Sequence, residues 1–303
     1  MTPSPHHGLL LLDKKSGVTS FDSLRAVKKT FATGKAGHTG TLDKFASGLL
    51  LVLVGRGLKL ASLFLDHIKE YTGTIRFGIE TDTLDPEGNI IAQAAVPSLD
   101  DIKSVLSAFS GNILQSPPAF SAVHIDGQRA HKLARKGIVP EMKKRPVFIH
   151  ELKITSWAPP FAGFRVRVSA GTYIRSLARD IALAAGSRGY LTALKRTKVG
   201  PFLLENAAEE SENKDAFVNA LRPLDRKLFE DLSLSCITLD EKKAAGFLQG
   251  KPLTEILSNI EKLPFTDTAG VFSIGSADEP EKLLGVIRYC NNKWKYGNVF
   301  NVL

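Results

Sequence analysis

A chain of 303 residues with 43% hydrophobic and 23% charged side chains has the make-up of a globular protein with room for two domains. Its net charge of +9 is uneven: residues 231–303 hold 8 basic and 9 acidic side chains, which leaves 32 and 22 in residues 1–230. The basic surface therefore belongs to the N-terminal part and suits an anionic partner, nucleic acid first. Two cysteines, Cys236 and Cys290, exclude a Cys-rich metal site and argue against a disulfide framework. The N-terminus lacks a signal-peptide charge pattern, and the apolar run at 9–12 is too short for a membrane span, so no membrane association is expected.

In chain order, residues 9–12 read as a buried strand and 13–17 as a polar turn. A helix follows, capped by Thr19 or Ser20. Phe21, Leu24, Val27 and Phe31 lie at helical spacing, Arg25, Lys28 and Lys29 opposite them, and Gly34 as terminator. Gly37-His38-Thr39-Gly40-Thr41-Leu42-Asp43 then sets two glycines and one carboxylate in a tight turn ahead of the apolar run 49–54. Such a place can hold a reactive carboxylate rigidly, although a plain turn with Asp43 as local cap is the simpler reading of those residues alone. A second helix is expected at 56–66 on Leu60, Leu63 and Phe64. From Lys69 the period becomes two, with Tyr71, Ile75 and Phe77 on one face of a half-buried strand. Residues 81–88 are dense in turn formers, and 89–96 read as a strand. Ser98 with Asp101 resembles a capping box, opening a helix on Ile102, Val105, Leu106 and Phe109.

Beyond Pro117-Pro118 a short strand is expected at 120–123. A basic run follows: Arg129, Lys132, Arg135, Lys136, Lys143, Lys144 and Arg145. Arg129, Lys132 and Lys136 share a helical face suited to an RNA backbone. Strands at 148–157 and 164–169 precede Gly171-Thr172-Tyr173-Ile174-Arg175, which opens a helix capped by Thr172. Arg175 falls near the first turn, where the helix dipole disfavours a cation, so a carboxylate or phosphate partner is expected. Residues 191–203 form a strand carrying Lys195, Arg196 and Lys198. An acidic stretch at 205–215 and a short helix lead to a boundary near 230. Strand-like pieces at 234–239, 270–274, 284–290 and 293–301 follow.

Because strands often succeed one another directly, the expected class is α+β. Residues 1–230 form a mixed, largely antiparallel central sheet flanked by helices, and 231–303 a small, mostly β domain. There is no Walker pattern, dinucleotide fingerprint, HExxH or nucleophile-elbow serine; composition leaves a Ser-His-Asp triad open, and any chemistry is expected to rest on a lone carboxylate supported by an arginine.

The chain resembles the TruB family of tRNA pseudouridine synthases. The motif ending at Asp43 matches that family's catalytic loop. Leu12-Asp13-Lys14, Gly17-Val18-Thr19-Ser20, Lys69-Glu70-Tyr71, Thr81-Asp82-Thr83 with Asp85, Ser121-Ala122 with Gly127, Ala134-Arg135-Lys136-Gly137 and Gly171-Thr172-Tyr173-Ile174-Arg175 follow in the family's order, covering residues 8–230. Lys15 and Lys44 stand where the family has proline, Phe120 and His131 where it has tyrosine, and His124 where it has lysine.

The resemblance implies a sheet of pseudouridine-synthase type and a C-terminal PUA-like RNA-binding domain. It also implies a cytoplasmic, stand-alone monomer that isomerises uridine 55 in the T stem-loop of tRNA after flipping the base. No cofactor or metal is implied, since the rearrangement uses the substrate's own atoms. Asp43 would be the essential carboxylate, attacking the sugar C1′, adding to uracil C6 or abstracting the C2′ proton. Tyr71 would stack under the uracil, Arg175 would pair with Asp43, and His38 would help evert the base. Leu194 would pack on the uracil pocket, and Lys14, Lys59 and Arg135 would position RNA. A guide-RNA-dependent dyskerin-like synthase, a non-catalytic RNA-folding protein and an unrelated hydrolase using Asp43 are the competing readings.

Overall fold

The computed structural model describes residues 6–125, 127–134, 137–138, 142–210, 214–258, 270–278, 283–291 and 293–300; the candidate contact Arg135, with Lys136, lies outside them. Strands β1 (Gly8–Lys14), β2 (Ala36–His38), β3 (Ser47–Val54), β4 (Lys69–Phe77), β5 (Gly111–Gln115), β6 (Arg145–Ala158), β7 (Phe161–Val168) and β8 (Gly189–Val199) build one sheet. Its order is β1-β3-β8-β4-β7-β6-β5, with β2 on β3. Phe202–Leu203, Ala208–Glu209 and Leu221–Arg222 add short strands. Only β3 with β8 and β1 with Ala208–Glu209 run parallel among the described pairs of this sheet.

The apolar runs dictate its centre. Leu9, Leu11, Leu49, Leu51 and Leu53 pack on one side with Leu60, Phe64, Phe202 and Phe229. Leu10, Leu12, Leu50, Val52 and Val54 pack on the other with Leu24, Val27, Phe31 and Phe217. Strands covered on both faces need no alternation, which is why β1 and β3 read as continuous apolar runs. Across β8, β4, β7 and β6 only one face is covered. Tyr71, Ile75, Phe77, Phe164, Val166 and Leu194 face α2 (Leu99–Val105) and α3 (Ile174–Ala184), and period two results.

Helix α1 (Ser20–Thr30) starts at Thr19, whose hydroxyl accepts from the Asp22 N–H, and the Ser98–Asp101 capping box opens α2. Three expectations are corrected. Phe21 is 63% exposed, because the inner face of α1 is made by Ser20, Ser23, Leu24 and Val27. Thr172 does not cap α3; its hydroxyl donates to the Ser169 carbonyl, and the cap position falls to Tyr173. No strand forms at 120–123, where the Phe120 and Val123 carbonyls serve Arg175 and the Ala130 N–H; the pairing occurs instead between His124–Ile125 and Gln128–Arg129.

Beyond α4 (Arg226–Asp231), strands β9 (Ser235–Leu239), β10 (Gly270–Ser276), β11 (Leu283–Cys290) and β12 (Lys293–Val299) form a second sheet in that order, with α5 (Glu241–Leu248) on it. Leu283, Val286 and Phe300 join the core of the first sheet, Asn298 donates to the Lys59 carbonyl (2.9 Å), and Arg288 donates to the Ser62 hydroxyl (3.0 Å). The small sheet therefore docks on the β1/β3 side.

Two glycines separate backbone strain from crowding. Gly17 and Gly48 both have positive φ (87° and 101°), but a Cβ on Gly48 would lie 2.3 Å from the Arg196 carbonyl oxygen, while Gly17 has open space. In urea unfolding, Gly17→Ala should cost about 1 kcal/mol and Gly48→Ala more than about 2 kcal/mol. Equal losses would show that β3 and β8 can separate without cost.

Candidate active site

The loop between β2 and β3 is held from below by α1 and the turn before it. The Ser20 hydroxyl brackets Leu42, accepting from its N–H (2.9 Å) and donating to its carbonyl (3.0 Å). Gly17 N–H and the Ser16 hydroxyl donate to the Lys44 and Phe45 carbonyls. Lys14, a candidate RNA contact, is instead fully buried, its ammonium donating to the carbonyls of Lys15, Val18 and Lys44. It ties the first turn to the loop.

Asp43 projects from this loop onto Arg175. Arg175 Nε meets Asp43 Oδ2 at 2.9 Å and Nη2 meets Oδ1 at 3.1 Å, a two-pronged pair. Nη1 reaches Asp85 Oδ2 (3.2 Å) and the Thr83 carbonyl (2.8 Å), and Nη2 also reaches the Phe120 carbonyl (3.0 Å). Four guanidinium N–H groups thus donate hydrogen bonds, and Nε lies at ion-pair distance from Asp43. The Arg175 side chain is 6% exposed and that of Asp43 37%: the carboxylate is gripped from behind and open in front. The partner expected from the helix-dipole mismatch of Arg175 is present twice over.

Asp85 is the residue that sequence reasoning missed. It belongs to the quoted Thr81-Asp82-Thr83 motif, yet nothing local separates it from a turn former. Its carboxylate accepts from the Thr83 hydroxyl (2.6 Å) and the Glu87 N–H (3.0 Å). Burial raises its pKa, opposed by the Thr83 hydroxyl and Arg175. Lys44 forms a 3.1 Å pair with Glu87 in the same turn, clasping the Asp43 loop to the Asp85 turn where the family has a proline. Such an exposed pair contributes at most about 1 kcal/mol.

Tyr71 and Leu194 are buried with Leu42 in one cluster, so the structure brings both to the root of the Asp43 loop. Arg196, opposite Tyr71 in the β4–β8 register and 1% exposed, sends Nε to the Leu49 carbonyl (2.7 Å) and Nη2 to the Gly40 carbonyl (3.1 Å). Lys69, also buried, donates to the Leu65 and His67 carbonyls; burial, then Arg196, lower its pKa to about 8. His38, half-buried opposite Val52, has its pKa lowered by burial and then by Arg196, and its Nδ1 is buried without a partner. Lys59 is not brought to the site. It is exposed on the 3₁₀ helix Gly55–Phe64, beyond the far end of β3, a strand spanning on the order of 25 Å. Among the described residues, no group of three or more His, Cys, Asp or Glu is placed to hold a metal ion.

Residues 28–174 match the family model described as TruB family pseudouridylate synthase (N terminal domain). The tRNA pseudouridine synthase B of Borreliella afzelii (strain PKo) is 41% identical over 298 residues, covering 97% of this chain and 99% of that protein. The chain belongs to the TruB family of pseudouridylate synthases. The enzyme of that name from Francisella philomiragia is 45% identical over 212 residues, 69% of this chain and 70% of its own. Among solved structures, one described as a Cbf5-Nop10-Gar1 complex aligns with a TM-score of 0.67 at 23% identity, over 97% of this chain and 84% of that one, and shares the fold. The geometry above is therefore that of a pseudouridine synthase fold, with a gripped carboxylate at the mouth of its sheet.

Lys69 gives this TruB-family enzyme a measurable pH signature. An unfolded lysine titrates near 10.4, so between pH 8 and that value the folded state binds fewer protons and stability rises with pH. Wild type should gain on Lys69→Met by up to about 1.4 kcal/mol per pH unit across that window in urea unfolding. A flat difference would show that Lys69 stays charged.

Proposed function

We propose that the protein is a tRNA pseudouridine synthase acting on uridine 55 of the T stem-loop, with Asp43 as the catalytic carboxylate. The observation that carries this reading is the Asp43–Arg175–Asp85 cluster, in which one buried guanidinium orients an accessible carboxylate against a second, buried one. The net change is balanced within the substrate: the C1′–N1 bond breaks, C1′–C5 forms, C5 loses its proton and N1 gains one. It asks for no redox partner. Attack at C1′, addition at C6 and removal of the C2′ proton all begin from Asp43 presented to an everted nucleotide. Tyr71 forms the floor on which the uracil stacks, Leu194 its apolar wall, and His38 the side chain beside the vacated stack.

Residues 1–230 are assigned as the catalytic domain and 231–303 as a PUA-like RNA-binding domain, acting together as a cytoplasmic monomer. Support for tRNA as substrate comes from relatives named tRNA pseudouridine synthase B, which align over nearly their full length. Among the described residues no helix is long and apolar enough to cross a membrane. The guide-dependent reading draws only on solved structures under 25% identical, and the full-length curated relatives favour the stand-alone enzyme.

With unmodified tRNA transcript, and pseudouridine mapped by base-specific adducts and primer extension, wild type should give one signal in the T loop and Asp43→Asn none. A signal elsewhere would overturn the uridine-55 assignment, and product from Asp43→Asn the role of the carboxylate. Arg175→Lys keeps the charge but loses the two-pronged grip. It should lower kcat by about 10²-fold or more while tRNA affinity changes by less than about threefold. A defect confined to affinity would contradict orientation as the role of Arg175.

A further inference from the structure

The sheet has a second face, turned away from Tyr71 and Asp43, that the reaction does not use. Strand register reads it out in rows. Lys198, Glu70, Arg167 and Glu151 form one; Lys195, Thr72, Arg165 and Lys153 the next; Ala193, Thr74, Gly163 and Ser156 the third; Tyr190, Arg76, Phe161 and Ala158 the last. Arg165 pairs with Glu70 and Lys153 with Glu151, so Arg76, Arg167, Lys195 and Lys198 are left as excess cations. Arg165, Arg167 and Lys195 are exposed, and so is Phe161, with the Arg76 guanidinium 6.0 Å from its ring centre. The third row is small and hydroxylic, a shallow trough between cations and an aromatic ring.

At the Lys198 end this face meets a cavity of about 480 Å³ lined by Arg167, Lys198 and His67 but also by Asp66, Glu70 and Asp231, so the excess of cations ends there. Phe161 lies six residues along the β4 register from the Glu70 row, roughly 20 Å.

We propose that this outer face is a second nucleic-acid surface that takes a single-stranded RNA segment. Its phosphates lie along Lys195, Arg165, Arg167 and Lys198, and one base stacks at Phe161. Clustered cations favour a polyphosphate, and an exposed ring beside them favours bases over an acidic peptide. The segment is distinct from the nucleotide being modified, since residues 70, 72, 74 and 76 point away from the face that carries Tyr71.

The test measures binding of fluorescein-labelled oligouridine to full-length enzyme carrying one equivalent of unlabelled T-arm hairpin, across a salt series. Arg167→Gln/Lys195→Gln/Lys198→Gln should weaken oligouridine at least about 10-fold and reduce the log–log salt slope by about 2, while pseudouridine formation in the hairpin stays within about twofold of wild type. Phe161→Ala should weaken it at least about fivefold. Lys195→Gln alone, at an exposed position, carries the salt-slope test should the triple variant melt early. Unchanged affinity and slope in these variants, displacement of oligouridine by the hairpin, or preferential capture of oligoglutamate would overturn the proposal. Loss of hairpin turnover in wild type would count against the catalytic reading alone.

Discussion

A guanidinium buried at the start of a helix has neither water nor a favourable dipole, so each of its N–H groups must find an acceptor within the protein. Arg175 finds four hydrogen-bond acceptors and a fifth oxygen at ion-pair distance, and they come from the Asp43 loop, the turn holding Thr83 and Asp85, and the irregular segment at Phe120. Three stretches that share no sheet are thereby fixed to the first turn of α3. The position of the Asp43 carboxylate is then a consequence of satisfying a cation. Removing either carboxylate would leave that cation partly uncompensated in a dry place, where single deletions cost more than the pair contributes. Asp85 is suited to the buried side because the Thr83 hydroxyl and Glu87 N–H satisfy its remaining lone pairs, which frees Asp43 to face outward.

Around the same loop lie three further buried cations that carbonyls, not acids, satisfy: Lys14, Lys69 and Arg196. Carbonyl dipoles solvate these charges without cancelling them. A positive potential therefore gathers beneath Gly40–Asp43. That field suits an anionic backbone passing over the loop. It also explains why His38 and Lys69 are pushed toward their neutral forms, both feeling Arg196 after burial itself.

Some of this was legible in the residues and some was not, for identifiable reasons. β1 and β3 were readable because a strand covered on both faces is a plain apolar run, whereas the residues around Asp43 alone read as a plain turn and only the family resemblance singled that acid out. Arg175 announced a partner through its clash with the helix dipole. Asp85 did not, since an acid among Thr, Pro and Gly looks like any turn residue. Lys14, Lys69 and Arg196 were hidden by the general expectation that such side chains are exposed. Lys59 was misplaced because the far end of β3 is distant from Asp43 only once the strand is laid out, and Phe21 because spacing alone assigned it to a face that Ser20 and Ser23 occupy.

The two faces of the sheet depend on two irregularities in β8. Without them Leu191 would share a face with residues 193 and 195, and Leu194 and Arg196 would point away from the site. Thr192 and Thr197 are each an extra residue against β4, between Leu191 and Ala193 and between Arg196 and Lys198. The first shifts the parity so that Leu194 and Arg196 turn inward beside Gly73 and Tyr71. The second shifts it back, sending Lys198 outward opposite Glu70. Both hydroxyls donate to β4 carbonyls, Thr192 to Thr74 and Thr197 to Glu70 (3.3 Å each), which helps pin the extra residues where the ladder is broken. Because a shift of one residue exchanges the faces, these bulges decide which cations lie beneath the Asp43 loop and which lie on the outer surface.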